Sequence, residues 1–194
     1  SYAVALGKCT MVGDQGGPFS YPGDYFSAEA PEKYKIKGSF GHPVPVVDGK
    51  TQSSGAKASA IVLKKEFTDV KDLLCIDYTS AYSTPSLDKL VRTFVYDRQG
   101  KGNFTVGDEF TAYAPIRFET AITTQANWKI IDDTHLLLTT GTEQMTVTIE
   151  ASGKVAFTSE TIEVNSPAYK RIGISLKEQS KDGYIRLTMR TKQL

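Results

Sequence analysis

Gln144-Met-Thr-Val-Thr-Ile-Glu150 places Met145, Val147 and Ile149 on one side of an extended chain and Thr146, Thr148 and Glu150 on the other. Successive side chains point to opposite faces of a strand, so this period of two predicts a sheet buried on one face and wet on the other. Tyr184–Arg190 repeats the pattern, with Ile185, Leu187 and Met189 opposite Arg186, Thr188 and Arg190. Leu90–Arg98 and Phe104–Phe110 alternate likewise around a Gln99-Gly-Lys-Gly-Asn103 turn. Strands are also predicted at Lys57–Phe67, Asp72–Tyr78, Ile116–Thr124, Trp128–Asp132, His135–Thr140, Lys154–Thr158 and Arg171–Lys177. Thr68–Lys71 reads as a hairpin turn and Thr84–Leu90 as a short helix. Turn signals recur roughly every ten residues, which suits antiparallel hairpins. The expected fold is all-β: an antiparallel β-sandwich of about a dozen strands with a Gly/Pro-rich N-terminal loop region.

That loop region, residues 12–55, holds five of the eight prolines and eight of the sixteen glycines, so it is read as irregular chain. Ahead of it, Tyr2–Leu6 and Cys9–Val12 are predicted to form a hairpin across Gly7-Lys8. A chain that begins inside a strand is expected to be cut from a larger protein. Within the region, Ala30–Lys35 suits one helical turn with Pro31 near its start. Val44–Val47 suits a short strand that Pro45 confines to a sheet edge. Asp48-Gly49 is a turn signal.

The chain has 194 residues, with 23 Lys and Arg against 22 Asp and Glu. That length suits a single domain over 1–194, and the balanced charge gives no bulk attraction to nucleic acid or membrane. No run of eighteen apolar residues and no charged-then-apolar leader occurs, so no membrane span or signal peptide is expected. Cys9 and Cys75 are read either as two buried free thiols or as one disulfide between strands.

Chemistry-bearing residues concentrate in the loop. Asp14 and His42 offer a carboxylate and an imidazole, two of the at least three protein ligands that zinc requires. His135 lies in a strand with no ligand-like setting. Tyr21, Tyr25 and Tyr34 could move a proton, stack on a sugar ring or cover the edge of a core. Lys33, Lys35, Lys37 and Lys50 suit an acidic glycan or a solvated surface, as do Arg92 and Arg98 if they face a cleft. No serine carries a nucleophile motif, and Gly13-Asp-Gln-Gly-Gly17 lacks the lysine of a phosphate-binding loop.

The run Val12-Gly-Asp-Gln-Gly-Gly17, then Tyr21, Phe26, Lys33-Tyr34, Gly41-His-Pro-Val-Pro-Val-Val-Asp-Gly49 and Gln52 resembles the heparinase II/III-like polysaccharide lyases. Asp77-Tyr-Thr-Ser-Ala-Tyr82, Leu90–Arg98, Val106-Gly-Asp-Glu-Phe110 and Pro115–Ile122 are similar to the sheet domain of the same family. The resemblance implies an α/α toroid packed on a C-terminal β-sandwich, with β-elimination of uronic-acid-containing glycans in the cleft between them. It implies Tyr21 as the catalytic tyrosine, with Tyr25 as the register alternative. Asp14 and His42 match metal ligands of a structural zinc; Tyr34, Lys33 and Lys35 are expected, from their residue types, to bind substrate. Gln15 stands where proline is usual. The family's preceding histidine-rich segment and its toroid are both absent, so the zinc site is incomplete and the chain alone is expected to be inactive. Acidic polysaccharide and the missing toroid are the implied partners, and a secreted or periplasmic location is implied. The alternatives are a non-catalytic acidic-glycan-binding sandwich and a purely structural accessory domain.

Overall fold

The computed structural model describes residues 1–14, 17, 18, 20–162 and 168–192. Its fourteen described strands form an eight-stranded, a four-stranded and a two-stranded antiparallel sheet. The pair is a hairpin of β1 (Val4–Leu6) and β2 (Cys9–Val12). The large sheet comprises β4 (Ile61–Phe67), β5 (Lys71–Asp77), β6 (Leu87–Asp97), β7 (Asn103–Ile116), β9 (Asn127–Asp132), β10 (His135–Thr140), β11 (Glu143–Ala151) and β14 (Ser180–Thr191). Its order is β4-β5-β6-β7-β14-β11-β10-β9. The small sheet comprises β3 (Val46–Val47), β8 (Phe118–Thr124), β12 (Val155–Ile162) and β13 (Tyr169–Leu176), ordered β12-β13-β8-β3.

The alternation read from the sequence is what packs the sheets. Val147 lies opposite Met189 and Ile149 opposite Leu187, and all four are buried. Ile172 faces Ile122 across the small sheet, and Phe110 stacks on Phe118 between the sheets at 4.6 Å. Each such side chain contributes about 1.5–3 kcal/mol on burial. The two cysteines are free and half-buried, which selects the thiol reading over the disulfide.

Two local expectations are corrected. Thr84–Leu90 holds no helix: Thr84 accepts a turn bond from Leu87 N–H, and β6 begins at Leu87. A register shift between Leu87 and Lys89 turns both Leu87 and Leu90 into the core, producing a three-residue spacing that resembles a helical face. The strand expected from Lys57 starts instead at Ile61. The helical turn is present as α1 (Ala30–Lys33), with Pro31 in its first turn. At Asp48 and Gly49, φ values of 51° and 75° make the tight turn after β3.

One polar cluster sits inside the sandwich. Asp108 on β7 accepts Nε and Nη2 of Arg92 on β6, the Tyr78 hydroxyl and the Thr120 hydroxyl, each at 2.7 Å. Arg92 Nη1 donates to the Pro43 carbonyl at 2.7 Å. Arg92 therefore faces no cleft: it ties the large sheet to the N-terminal loop. Arg98 is also engaged, bound to Asp72 at the surface at 2.5 Å.

Candidate functional site

The loop that leaves β2 is fixed at once. Gly13 N–H donates to the Thr123 carbonyl at 2.9 Å, and the Thr123 hydroxyl returns a bond to the Gly13 carbonyl. Asp14 is thereby set at the edge of the small sheet. Farther on, a 3₁₀ turn, Ser39–Gly41, delivers His42. Gly41 is pressed against chain on two sides. A Cβ there would overlap the Lys35 carbonyl oxygen and come within 2.8 Å of the Tyr169 hydroxyl, so only glycine fits. Tyr169 on β13 donates to the Gly41 carbonyl at 2.7 Å, and Tyr82 donates to that of Pro45 at 2.8 Å. With the Arg92 bond to Pro43, three side chains hold Gly41–Pro45 from below.

His42 and Asp14, 28 residues apart in sequence, meet here. Nδ1 lies 2.6 Å from Asp14 Oδ1, and Nε2 lies 3.1 Å from the Ile36 carbonyl oxygen. Burial raises the Asp14 carboxyl, but hydrogen bonds from Ser1 and His42 and the nearby positive charge outweigh it and hold it below the usual range. Both ring nitrogens of His42 face acceptors. Among the described residues, no group of three or more His, Cys, Asp or Glu could hold an ion. These residues alone do not fit a zinc centre. Gln15 and Gly16 of the loop motif lie outside the described residues.

The tyrosines form a second cluster beside this pair. Tyr21 and Tyr25 approach at 4.9 Å between ring centres, Tyr21 and Phe26 at 5.2 Å, and Tyr25 and Tyr34 at 5.4 Å. Tyr25 is buried with Ile36, Ile162 and Tyr169, whereas Tyr21 is 56% and Phe26 75% exposed. Burial, with Tyr21 alongside, pushes the Tyr25 phenol up, the wrong direction for a base. Tyr21 is the more exposed residue of the two. Lys33 and the Tyr34 hydroxyl both bind Asp24, and Lys35 binds Glu160. All three residues expected to bind substrate thus already hold carboxylates of the chain itself.

Two site-lining residues escaped sequence reasoning. Tyr169 and Arg171 face outward from β13, where alternation predicts a wet surface; the loop instead covers them. Arg171 is 2% exposed, and its Nη1 donates to Glu119 at 2.6 Å. The Phe40 ring lies 4.2 Å from its guanidinium carbon. Among the described residues, its Nε and Nη2 have no partner. Leaving a buried donor unpaired costs about 1–3 kcal/mol, more for a charged group.

No family model and no curated protein matches this sequence. Among solved structures, heparan sulfate lyase HepC from Pedobacter heparinus matches with a TM-score of 0.75 and 14% identity, over 99% of this chain and 30% of that one. A mutant of that lyase gives the same figures. A heparinase III matches with a TM-score of 0.67 and 15% identity, over 94% of this chain and 28% of the other. The chain thus spans about 30% of the length of HepC. At this identity the likeness is one of fold, and the fold is a heparinase-like β-sandwich.

Proposed function

We propose that this chain is the β-sandwich part of a heparinase-like polysaccharide lyase that cleaves uronic-acid-containing glycans by β-elimination, and that it is inactive alone. The observation that carries the reading is the overlay of nearly the whole chain on HepC, with Asp14 and His42 brought together in the loop that the sequence resemblance singles out.

In β-elimination a base removes the C5 proton, α to the uronate carboxylate, and the C4–O bond breaks to leave an unsaturated uronate. Donors facing the carboxylate stabilise the charge that develops there. Tyr21 is assigned as base or acid, since it is the exposed residue of the two and the Tyr25 phenol is pushed up. His42 is assigned a supporting role beside it, oriented by Asp14. A structural zinc enters this reading only if a third donor, supplied by the rest of a longer chain, joins Asp14 and His42. Zinc retained by such a chain but lost in His42→Ala would support that assignment; zinc retained in the variant would remove it. A secreted or periplasmic location fits the polysaccharide substrate. Among the described residues, no helix is long and apolar enough to cross a membrane.

The test is ultraviolet absorbance of the unsaturated uronate, measured on an acidic glycan with this chain alone and joined to a lyase toroid. The expected result is no signal alone and signal in the joined form, with Tyr21→Phe lowering kcat by about 10²–10⁴-fold. A joined form inert on every uronic-acid glycan would refute the reading. One observation favours a second reading, a non-catalytic acidic-glycan-binding module: Phe26 and Tyr21 form an exposed aromatic platform, and the Lys37 ammonium lies 5.4 Å from the Phe26 ring centre. Saturable, salt-sensitive binding with no elimination in the joined form would select it.

A further inference from the structure

Arg171 offers an unusual combination: full burial, one satisfied nitrogen and one bare edge. Nε–H and Nη2–H lie on the same side of a guanidinium and point in parallel, the geometry that grips both oxygens of a carboxylate. Arg92 uses that same edge, with Nε and Nη2 each 2.7 Å from Asp108. In Arg171 the edge is buried and, among the described residues, unpartnered, while Nη1 is held by Glu119.

The surroundings keep the edge in place. Glu119 on β8 is seated over Gly173, where a Cβ would come within 2.7 Å of its Oε2. Phe40 covers the guanidinium face from the turn immediately before His42. Glu160, opposite Arg171 on β12, is drawn away to Lys35, whose ammonium lies 5.2 Å from the same Phe40 ring. A core arginine kept for stability would use this edge within the chain.

We propose that the Nε–Nη2 edge of Arg171 receives a carboxylate that enters past Phe40, and that in function this is the carboxylate of a uronate unit. The two parallel donors match a planar carboxylate. Glu119 on the far side of the guanidinium favours a singly charged guest over a dianion. Lys35 stands beside the entrance and meets the guest once it releases Glu160. Phe40 is the gate. The choice of uronate rests on the lyase reading above; carboxylate binding at Arg171 does not.

The test follows the Arg171 side-chain Nε–Hε signal in nitrogen-edited NMR of the 194-residue chain, titrated in turn with acetate, glucuronate, glucose and inorganic sulfate. Arg171→Lys assigns the signal by its disappearance. Should that variant not fold, Phe40→Ala assigns it through loss of the ring-current shift. The expected result is a saturable shift with acetate and glucuronate and none with glucose. Phe40→Ala should tighten binding by about tenfold, the factor regained when a site open in about a tenth of molecules is held open. An unmoved signal in both wild type and Phe40→Ala overturns the proposal and makes the edge a structural, water-bound one. A response to sulfate without one to acetate overturns it also. Acetate binding without glucuronate binding removes the uronate assignment, whatever the elimination assay returns.

Discussion

Asp108→Ala tests whether the buried cluster is a structural tie between the sheets and the loop. In the folded chain Asp108 accepts four hydrogen bonds of 2.7 Å and is 1% exposed. Its removal leaves the Arg92 guanidinium buried with Pro43 as its main partner. Removing one member of a buried ion pair costs about 3–5 kcal/mol, because the remaining charge stays in a poorly polarisable interior. The Tyr78 and Thr120 hydroxyls also lose their acceptor, at about 1–3 kcal/mol each if they find no other. Against a total of about 5–15 kcal/mol for a domain, the variant should be severely destabilised. Equilibrium unfolding in urea, followed by Trp128 fluorescence and circular dichroism, measures this as a fall in midpoint at unchanged slope. The double variant Arg92→Met with Asp108→Leu should be more stable than Asp108→Ala, since no bare charge remains. A loss below about 1 kcal/mol in Asp108→Ala, or a double variant less stable than that single one, would refute the reasoning.

Two further outcomes follow from the loop. Gly41→Ala should cost about 1–3 kcal/mol by overpacking against the Lys35 carbonyl and the Tyr169 hydroxyl, and the His42 ring signals should shift in NMR; an unchanged spectrum would contradict the tight approach. Asp14 has a folded-state pKa below the unfolded 3.8, so its pairing stabilises the chain above that pH and is lost as pH falls through the depressed value. In acid titrations of stability, Asp14→Asn should flatten this limb; parallel curves for variant and wild type would show that the carboxylate is not linked to folding.

Where a segment's neighbours are its own sheet partners, the sequence is easily read. β11 and β14 announce their buried faces by alternation, and β10 falls at the residues expected. Legibility fails where a distant segment changes what a face meets. Arg171 stands on the side of β13 that the pattern assigns to water, and its burial comes from Phe40, 131 positions earlier in the chain. Leu87 and Leu90 suggested a helix because a bulge reproduces helical spacing. The approach of Asp14 to His42 followed from resemblance to a family, since nothing in either residue's local sequence specifies the other. In the sequence Arg92 reads as surface charge, or as a glycan contact if it faces a cleft, yet its charge is answered by Asp108 from the neighbouring strand, a pairing set by register.

The two main sheets differ in width, eight strands against four. β12 and β3 bound the small sheet, and β4 lies at the far edge of the large one, with every residue exposed and Ile61, Val62, Leu63 and Phe67 open to solvent. Among the described strands, β4 pairs with β5 alone, so its outer backbone groups meet no partner strand there. Amide protons there should exchange with solvent long before those of β7 and β14, whose opening requires the core itself to part. Deuterium uptake would then spread across the large sheet from β4 inward, and the domain would loosen from its edge while its middle stayed shut. Lys64, Lys65 and Glu66, in the middle of that edge strand, place charge where another chain's strand would otherwise add.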